Sequence, residues 1–404
     1  MTTQPIFRIK GTIQNYAWGG HEYIAQLLHQ PNTGQQPQAE YWMGAHPSAP
    51  SKIMLGEGEI SLREAIGNAP EAMIGKDTWR RFGELPYLFK ILDVKDMLSI
   101  QVHPSKSEAE KGFDAEEAAG IPINAAHRNY KDRNHKPEVM VALGEFWLLH
   151  GFLAKEKIAA VLAQTPELQP LLPYFADKDI FKLYRYLMEL PQADVDAMLL
   201  PLVKRERASY NEGKLAKSAP GWWTAKHYRQ DIPDSELDRG IFSIYLFNIV
   251  KIGEGDGIFQ GAGVPHAYLE GQNVELMANS DNVLRGGLTP KHIDVPELLK
   301  HTLFDSVTPK ILSGSALVNG EVPYPCPVPD FGLNAIKLAA GEKLASKSFS
   351  MEIIVVIKGK LSLKTQGISL TLHQGASAAI VAHTAFEVVA EENLLAFKAF
   401  VPQP

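Results

Sequence analysis

Apolar and polar residues alternate most clearly at Leu98-Ser99-Ile100-Gln101-Val102-His103, where every second residue is apolar. A period of two predicts one strand, with Ser99, Gln101 and His103 on its polar face. Pro104 stops the strand and leaves His103 at its mouth. From Ile6 to about Ala142 the text is strand-like, punctuated by Gly, Pro and Asn. Two helices interrupt it. One runs over roughly Leu62 to Arg81, and the other opens at Ser105-Lys106-Ser107-Glu108, a capping-box pattern.

The period changes between about Ala154 and Lys204. Ile158, Val161 and Leu162, then Ile180, Leu183, Tyr184 and Leu187, recur at helical spacing. Pro166, Pro170, Pro173 and Pro191 divide the region into several short helices. The polar stretch that follows, to Asp238, reads as loops. Strand character returns at Ile241-Phe242-Ser243-Ile244-Tyr245-Leu246-Phe247, and a short helix is expected around Val295-Pro296-Glu297-Leu298-Leu299. From Gly332 to Phe400 short strands such as Glu352–Ile357 and Leu361–Leu363 follow one another at regular spacing, as in a sandwich or barrel. The pattern therefore predicts a mainly β chain with a helical insertion. At 404 residues it is also long enough for two or three domains.

Composition narrows the function. The chain is 45% hydrophobic and 21% charged, with a formal net charge of -6. Its lysines and arginines are scattered, so no nucleic-acid partner is expected. No run of about 18 apolar residues predicts a membrane span. The first ten residues lack an apolar signal-peptide core, so a cytoplasmic location is expected. Cys326 is the sole cysteine, which excludes an intramolecular disulfide and a cysteine-based zinc cluster.

Gln101 and His103, two apart on a strand, have side chains about 7 Å apart at their bases and can reach one ion between them. Lys136 and Glu138 share parity in Asn134-His135-Lys136-Pro137-Glu138, whose backbone the proline keeps extended. His266 follows a proline in Val264-Pro265-His266-Ala267-Tyr268. Two His, a Glu and a Gln amide oxygen are N/O ligands that suit zinc. The spacing alone is weak, because no compact motif such as H-E-x-x-H is present. The glycines of Gly253-Glu254-Gly255-Asp256-Gly257 are misplaced for a nucleotide loop and read as turns.

Seven strings in one order carry more information. They are Gln14–Gly19, Glu40–Pro47, Pro86–Lys90, Ser99–Pro104, Asn134–Glu138, Gly263–Tyr268 and Asn282–Thr289. Together they resemble the type I phosphomannose isomerase family over about residues 10 to 300. The resemblance implies one zinc ion per chain, held by Gln101, His103, Glu138 and His266. It places the family's active-site arginine on Arg285 and further site positions on Ser99, Lys136, Glu275 and Lys291. Its fold is cupin-like. A catalytic cupin domain is expected over 1–150 and 239–310, an inserted helical domain over 151–238 and a C-terminal cupin-like domain over 311–404.

The implied reaction interconverts mannose 6-phosphate and fructose 6-phosphate by moving a proton between C1 and C2 through an enediolate-like state. Lys136, Glu275 and zinc-bound water are all open as the base. Arg285 suits charge stabilisation, because it cannot lose its proton. Ser99 and Lys291 suit the phosphate, with Arg285 a competitor for that task, and Trp18 suits the sugar. The expected partner is a small sugar phosphate, and the expected state is a monomer or weak homo-oligomer. A cupin enzyme of other chemistry and a non-catalytic sugar-phosphate sensor are the alternatives.

Overall fold

The computed structural model describes residues 4–55, 58–314 and 320–403. The chain is mainly antiparallel β with a helical insertion, as its pattern predicts. One sheet runs in the order Glu321–Tyr324, Gly332–Leu338, Leu394–Phe400, Glu352–Lys358, Ser377–Ile380, Ile6–Lys10, Lys52–Leu55, Gly58–Ser61. Strands from both ends of the chain thus share it: Ile6 lies opposite Ile380, and Ile9 opposite both Ser377 and Ile53.

The second sheet is organised by the long strand His266–Ala278. Tyr87–Val94 and Glu138–Ala142 flank most of its length, and Ile100–Val102 and Phe146–Phe152 meet its start. Alternation sorts this sheet's side chains. Tyr87, Phe89, Ile91, Val139, Val141, Val274 and Leu276 face the first sheet and pack with Phe7, Ile9, Ile53, Leu333, Ile353, Val355 and Phe397. Residues of opposite parity, among them Lys90, Glu138 and Glu275, are left for the other face. A third sheet, Lys343–Lys347, Ala385–Ala390, Lys360–Thr365, Ile368–His373, covers the far side of the first. The tail's strands in the first sheet thus back the sheet that carries the candidate site, and the third sheet lies beyond them.

Helices fill most of the chain between Phe152 and Phe247. Their apolar faces (Leu162, Leu183, Tyr184, Leu199, Leu202, Trp223) pack onto Ile100, Val102, Leu149 and Phe152. Two expectations are corrected here. Ile241–Phe247 is not a strand: Gly240–Leu246 is a helix, buried along its whole length, and the strand begins at Phe247. A short apolar run buried all round has no polar face to reveal its period, so its β-branched and aromatic residues mislead. The polar stretch to Asp238 is not all loop. It holds the end of the helix Gln192–Asn211 and the helix Pro220–His227.

The alternating strand around Gln101 is only Ile100–Val102, and Ser105 caps the helix Lys106–Ala118 by accepting from the Glu108 N–H at 3.4 Å. No helix among the described residues is long and apolar enough to cross a membrane.

Candidate metal centre and cleft

The strand His266–Ala278 supplies residues from both its ends to one site, which its parity alone forbids. His266 and Glu275 differ by nine positions and belong on opposite faces of a regular strand. The register shifts between Tyr268 and Glu270, and Gly271 follows at φ 130. One extra residue reverses the alternation, so His266, Tyr268 and Glu275 line the same small cavity.

His103, Glu138 and His266 converge from three elements, and their ligand atoms lie within 4.8 Å of one another. Glu138 Oε1 is 3.5 Å from His103 Nε2, and Glu138 Oε2 is 3.3 Å from His266 Nε2. Each ring is fixed from behind. His103 Nδ1 lies 2.9 Å from the Asn282 carbonyl oxygen and His266 Nδ1 2.9 Å from that of Val264. A carbonyl oxygen only accepts, so Nδ1 carries the proton and the Nε2 of a neutral ring presents a bare lone pair.

Burial drives the His103 imidazole down to about 4 against the pull of Glu138, so that ring is neutral at neutral pH. Burial opposes ionisation of Glu138, yet the two imidazoles and the Lys136 ammonium, 3.6 Å away, outweigh it and hold its carboxyl well below the usual range. His103 Nε2 has no hydrogen-bond partner, although it is fully buried. The centre thus gathers a buried carboxylate and the Nε2 atoms of two imidazoles whose Nδ1 atoms face backbone carbonyls. A bound cation resolves that arrangement, and backbone carbonyls behind both imidazoles are the usual outer support of metal ligands.

Gln101 stands next to this set. Its backbone lies opposite His266 on one side and Arg285 on the other. Its side chain lines both the small cavity, about 50 Å³, and the larger cleft above it, about 910 Å³. Lys136 also lines both, whereas Glu275 lines only the small cavity. Trp18, Ser99, Arg285 and Lys291 line the cleft. All ten predicted residues therefore come together.

Neither the Arg285 guanidinium nor the Lys291 ammonium has a hydrogen-bond or ion-pair partner among the described residues. Burial lowers the pKa of both, and the Arg285 charge lowers that of Lys291 further. Two unpaired, partly desolvated cations on one wall make a site for an anion.

Sequence reasoning assigned no role to Lys90 or Glu40. Lys90 lies 3.0 Å from Glu275 and 3.5 Å from Glu40, and 5.3 Å from the Trp42 ring centroid. Burial opposes the Lys90 charge, but Glu275, Glu40 and Glu138 overcome it and raise the ammonium's pKa. Burial raises the Glu275 carboxyl, with Glu138 and Glu40 adding to the rise and Lys90 opposing it. These two shifts pull in opposite senses on the charge of the pair. Three carboxylates around one ammonium favour the charged Lys90. Its signal was available: a single lysine in the apolar run Tyr87-Leu88-Phe89-Lys90-Ile91-Leu92 must find buried partners.

The comparisons with known proteins agree with this geometry. Residues 6–155 match the family model for the catalytic domain of type I phosphomannose isomerase. The mannose-6-phosphate isomerase of Salmonella typhimurium is 39% identical over 379 residues, covering 92% of this chain and 94% of that protein. That of Bos taurus is 32% identical, with 99% of each chain covered. A crystal structure of the Salmonella typhimurium enzyme, bound to its substrate and to zinc, matches with a TM-score of 0.86 at 35% identity, covering 99% of this chain and 100% of that one. On its sequence, its fold and the residues gathered in its cleft, the chain belongs to the type I phosphomannose isomerase family.

Proposed function

We propose that the chain is a zinc-dependent isomerase that interconverts mannose 6-phosphate and fructose 6-phosphate by proton transfer between C1 and C2. One observation carries this reading. A buried set of metal-ligating side chains, His103, Glu138 and His266, lies at the foot of a cleft whose wall presents the cations Arg285 and Lys291, unpaired among the described residues. The relatives are mannose-6-phosphate isomerases, and a related structure contains substrate and zinc together.

In this reading Gln101, His103, Glu138 and His266 hold the ion, Gln101 through its amide oxygen. Zinc bound there supplies Lewis-acid polarisation of the sugar's carbonyl oxygen. Arg285 and Lys291 take the phosphate, with Ser99 beside them, and so set C1 and C2 in register. Trp18, stacked with Tyr16 at 5.9 Å, offers an apolar wall to the sugar. Lys136 moves the proton through an enediolate-like state. It faces both the cleft and the metal cavity, while Glu275 is tied to Lys90 below. In the domain scheme that fits this assignment, 1–150 and 239–310 form the catalytic unit, 151–238 the insertion and 311–404 the second cupin-like unit.

The direct test is incubation of purified protein with fructose 6-phosphate. Mannose 6-phosphate is expected to accumulate to a constant ratio, reached also from the mannose side. Fructose 6-phosphate unchanged by zinc-loaded protein refutes the reading. A second test addresses the anion wall. Arg285→Lys keeps the charge but loses the planar fork, so kcat/KM is expected to fall about tenfold to a hundredfold. Unchanged kinetics in that variant would show that the guanidinium does not touch the substrate.

A further inference from the structure

The segment between Arg285 and Lys291 passes over the end of the helical insertion, and one carboxylate joins the two. Asp238 Oδ1 accepts from the Leu288 N–H at 2.8 Å and from the Gly240 N–H at 2.7 Å, and Oδ2 accepts from the Thr289 N–H at 2.8 Å. Asp238 is itself tied down, since its own N–H donates to the Tyr228 hydroxyl at 2.8 Å. The segment needs the tether. Leu288 sits at φ 56, in the left-handed region that a leucine rarely adopts.

The approach is so close that a Cβ on Gly240 would lie 2.5 Å from Leu288 N, and one on Gly287 would lie 2.3 Å from the Gly240 Cα. The Leu288 side chain is buried in the helical core, and beyond it the segment turns outward. Leu288, Thr289 and Pro290 line the cleft on one side and a second cavity, about 400 Å³, on the other. Where the segment leaves that core, the N–H groups of Leu288 and Thr289 are anchored by the one carboxylate.

We propose that Asp238 is a positioning residue for the anion wall: by holding Leu288 in its left-handed conformation it fixes where Arg285 and Lys291 meet the substrate's phosphate. This deepens, and rests on, the isomerase reading. It also gives the helical insertion a function, since the carboxylate at its end shapes a cleft whose other walls come from the sheet and from loops such as those carrying Trp18 and Lys131.

Asp238→Asn keeps the shape, removes the charge and leaves one acceptor oxygen where the carboxylate uses two. The KM for fructose 6-phosphate is expected to rise about tenfold, with a matching rise in the inhibition constant of inorganic phosphate. Zinc content and kcat are expected to stay within about twofold of the unaltered protein. Gly240→Ala drives a Cβ to 2.5 Å from Leu288 N and 2.8 Å from Asp238 Oδ1, crowding the same contact, and is expected to raise KM as well.

If the unaltered protein does not isomerise fructose 6-phosphate, the isomerase reading fails and takes this proposal with it. If it does, and Asp238→Asn and Gly240→Ala both leave KM and phosphate inhibition unchanged, the proposal alone is overturned. A fall confined to kcat overturns it as well.

Discussion

Glu138→Gln is expected to abolish metal binding and to lower kcat/KM by at least about a thousandfold, the equivalent of several kcal/mol of lost Lewis-acid stabilisation. The reasoning starts from protons. In the neutral rings His103 and His266 carry theirs on Nδ1, towards the backbone, so three acceptors face one another across the centre. An amide at position 138 brings a donor into that set. It can satisfy the buried Nε2 of His103, which otherwise has no partner. The same change that removes the ligand charge thus relieves the metal-free protein. The variant is expected to melt, without metal, no lower than metal-free unaltered protein, while failing to gain stability when zinc is added. Calorimetry with and without zinc checks both parts. Zinc stabilisation equal to that of the unaltered protein would contradict the assignment of Glu138 as a ligand.

Lys90→Met is the second large effect. Lys90 is buried with Glu275 at 3.0 Å and Glu40 at 3.5 Å, and Glu138 adds to the field. Methionine fills the volume but leaves buried carboxylates uncompensated, which is expected to cost about 3–5 kcal/mol of stability. Activity should fall too, because Glu275 and the metal cavity share a wall. Chemical denaturation gives the stability term. Pairing Lys90→Met with Glu275→Gln should recover part of it, since the two changes act on one ion pair. A loss below about 1 kcal/mol would mean that the carboxylates take up protons instead, as the raised pKa of Glu275 permits.

The candidate ligands were more legible in the sequence than their scaffold. Gln101 and His103 were legible because alternation survives over six residues, and Ile100 and Val102 do turn to the helical core while Gln101 turns to the cleft. Glu275 was reachable only through family resemblance. From parity it belongs on the face opposite His266, and the bulge after Tyr268 that brings it round leaves no sign in the residue types apart from Gly271. Gly240–Leu246 was misread because a helix buried all round shows no period.

Asp238 closed a polar stretch read as loop, and nothing in its immediate neighbours marks it. Its role depends on Leu288 lying beside it fifty residues later, a contact that only the folded chain creates. The joining of Ile6–Lys10 to Ser377–Ile380 is of the same kind: the strand character of both regions was legible, but not the pairing across the length of the chain.

The central claim is that the acceptor set at the foot of the cleft holds one zinc ion that the isomerisation requires. The most direct test is to strip the protein with a chelator, titrate zinc back, and follow conversion of fructose 6-phosphate to mannose 6-phosphate against bound metal. Activity is expected to vanish on stripping and to return linearly, reaching its plateau at one zinc per chain. Full activity in protein verified to be metal-free would contradict the account.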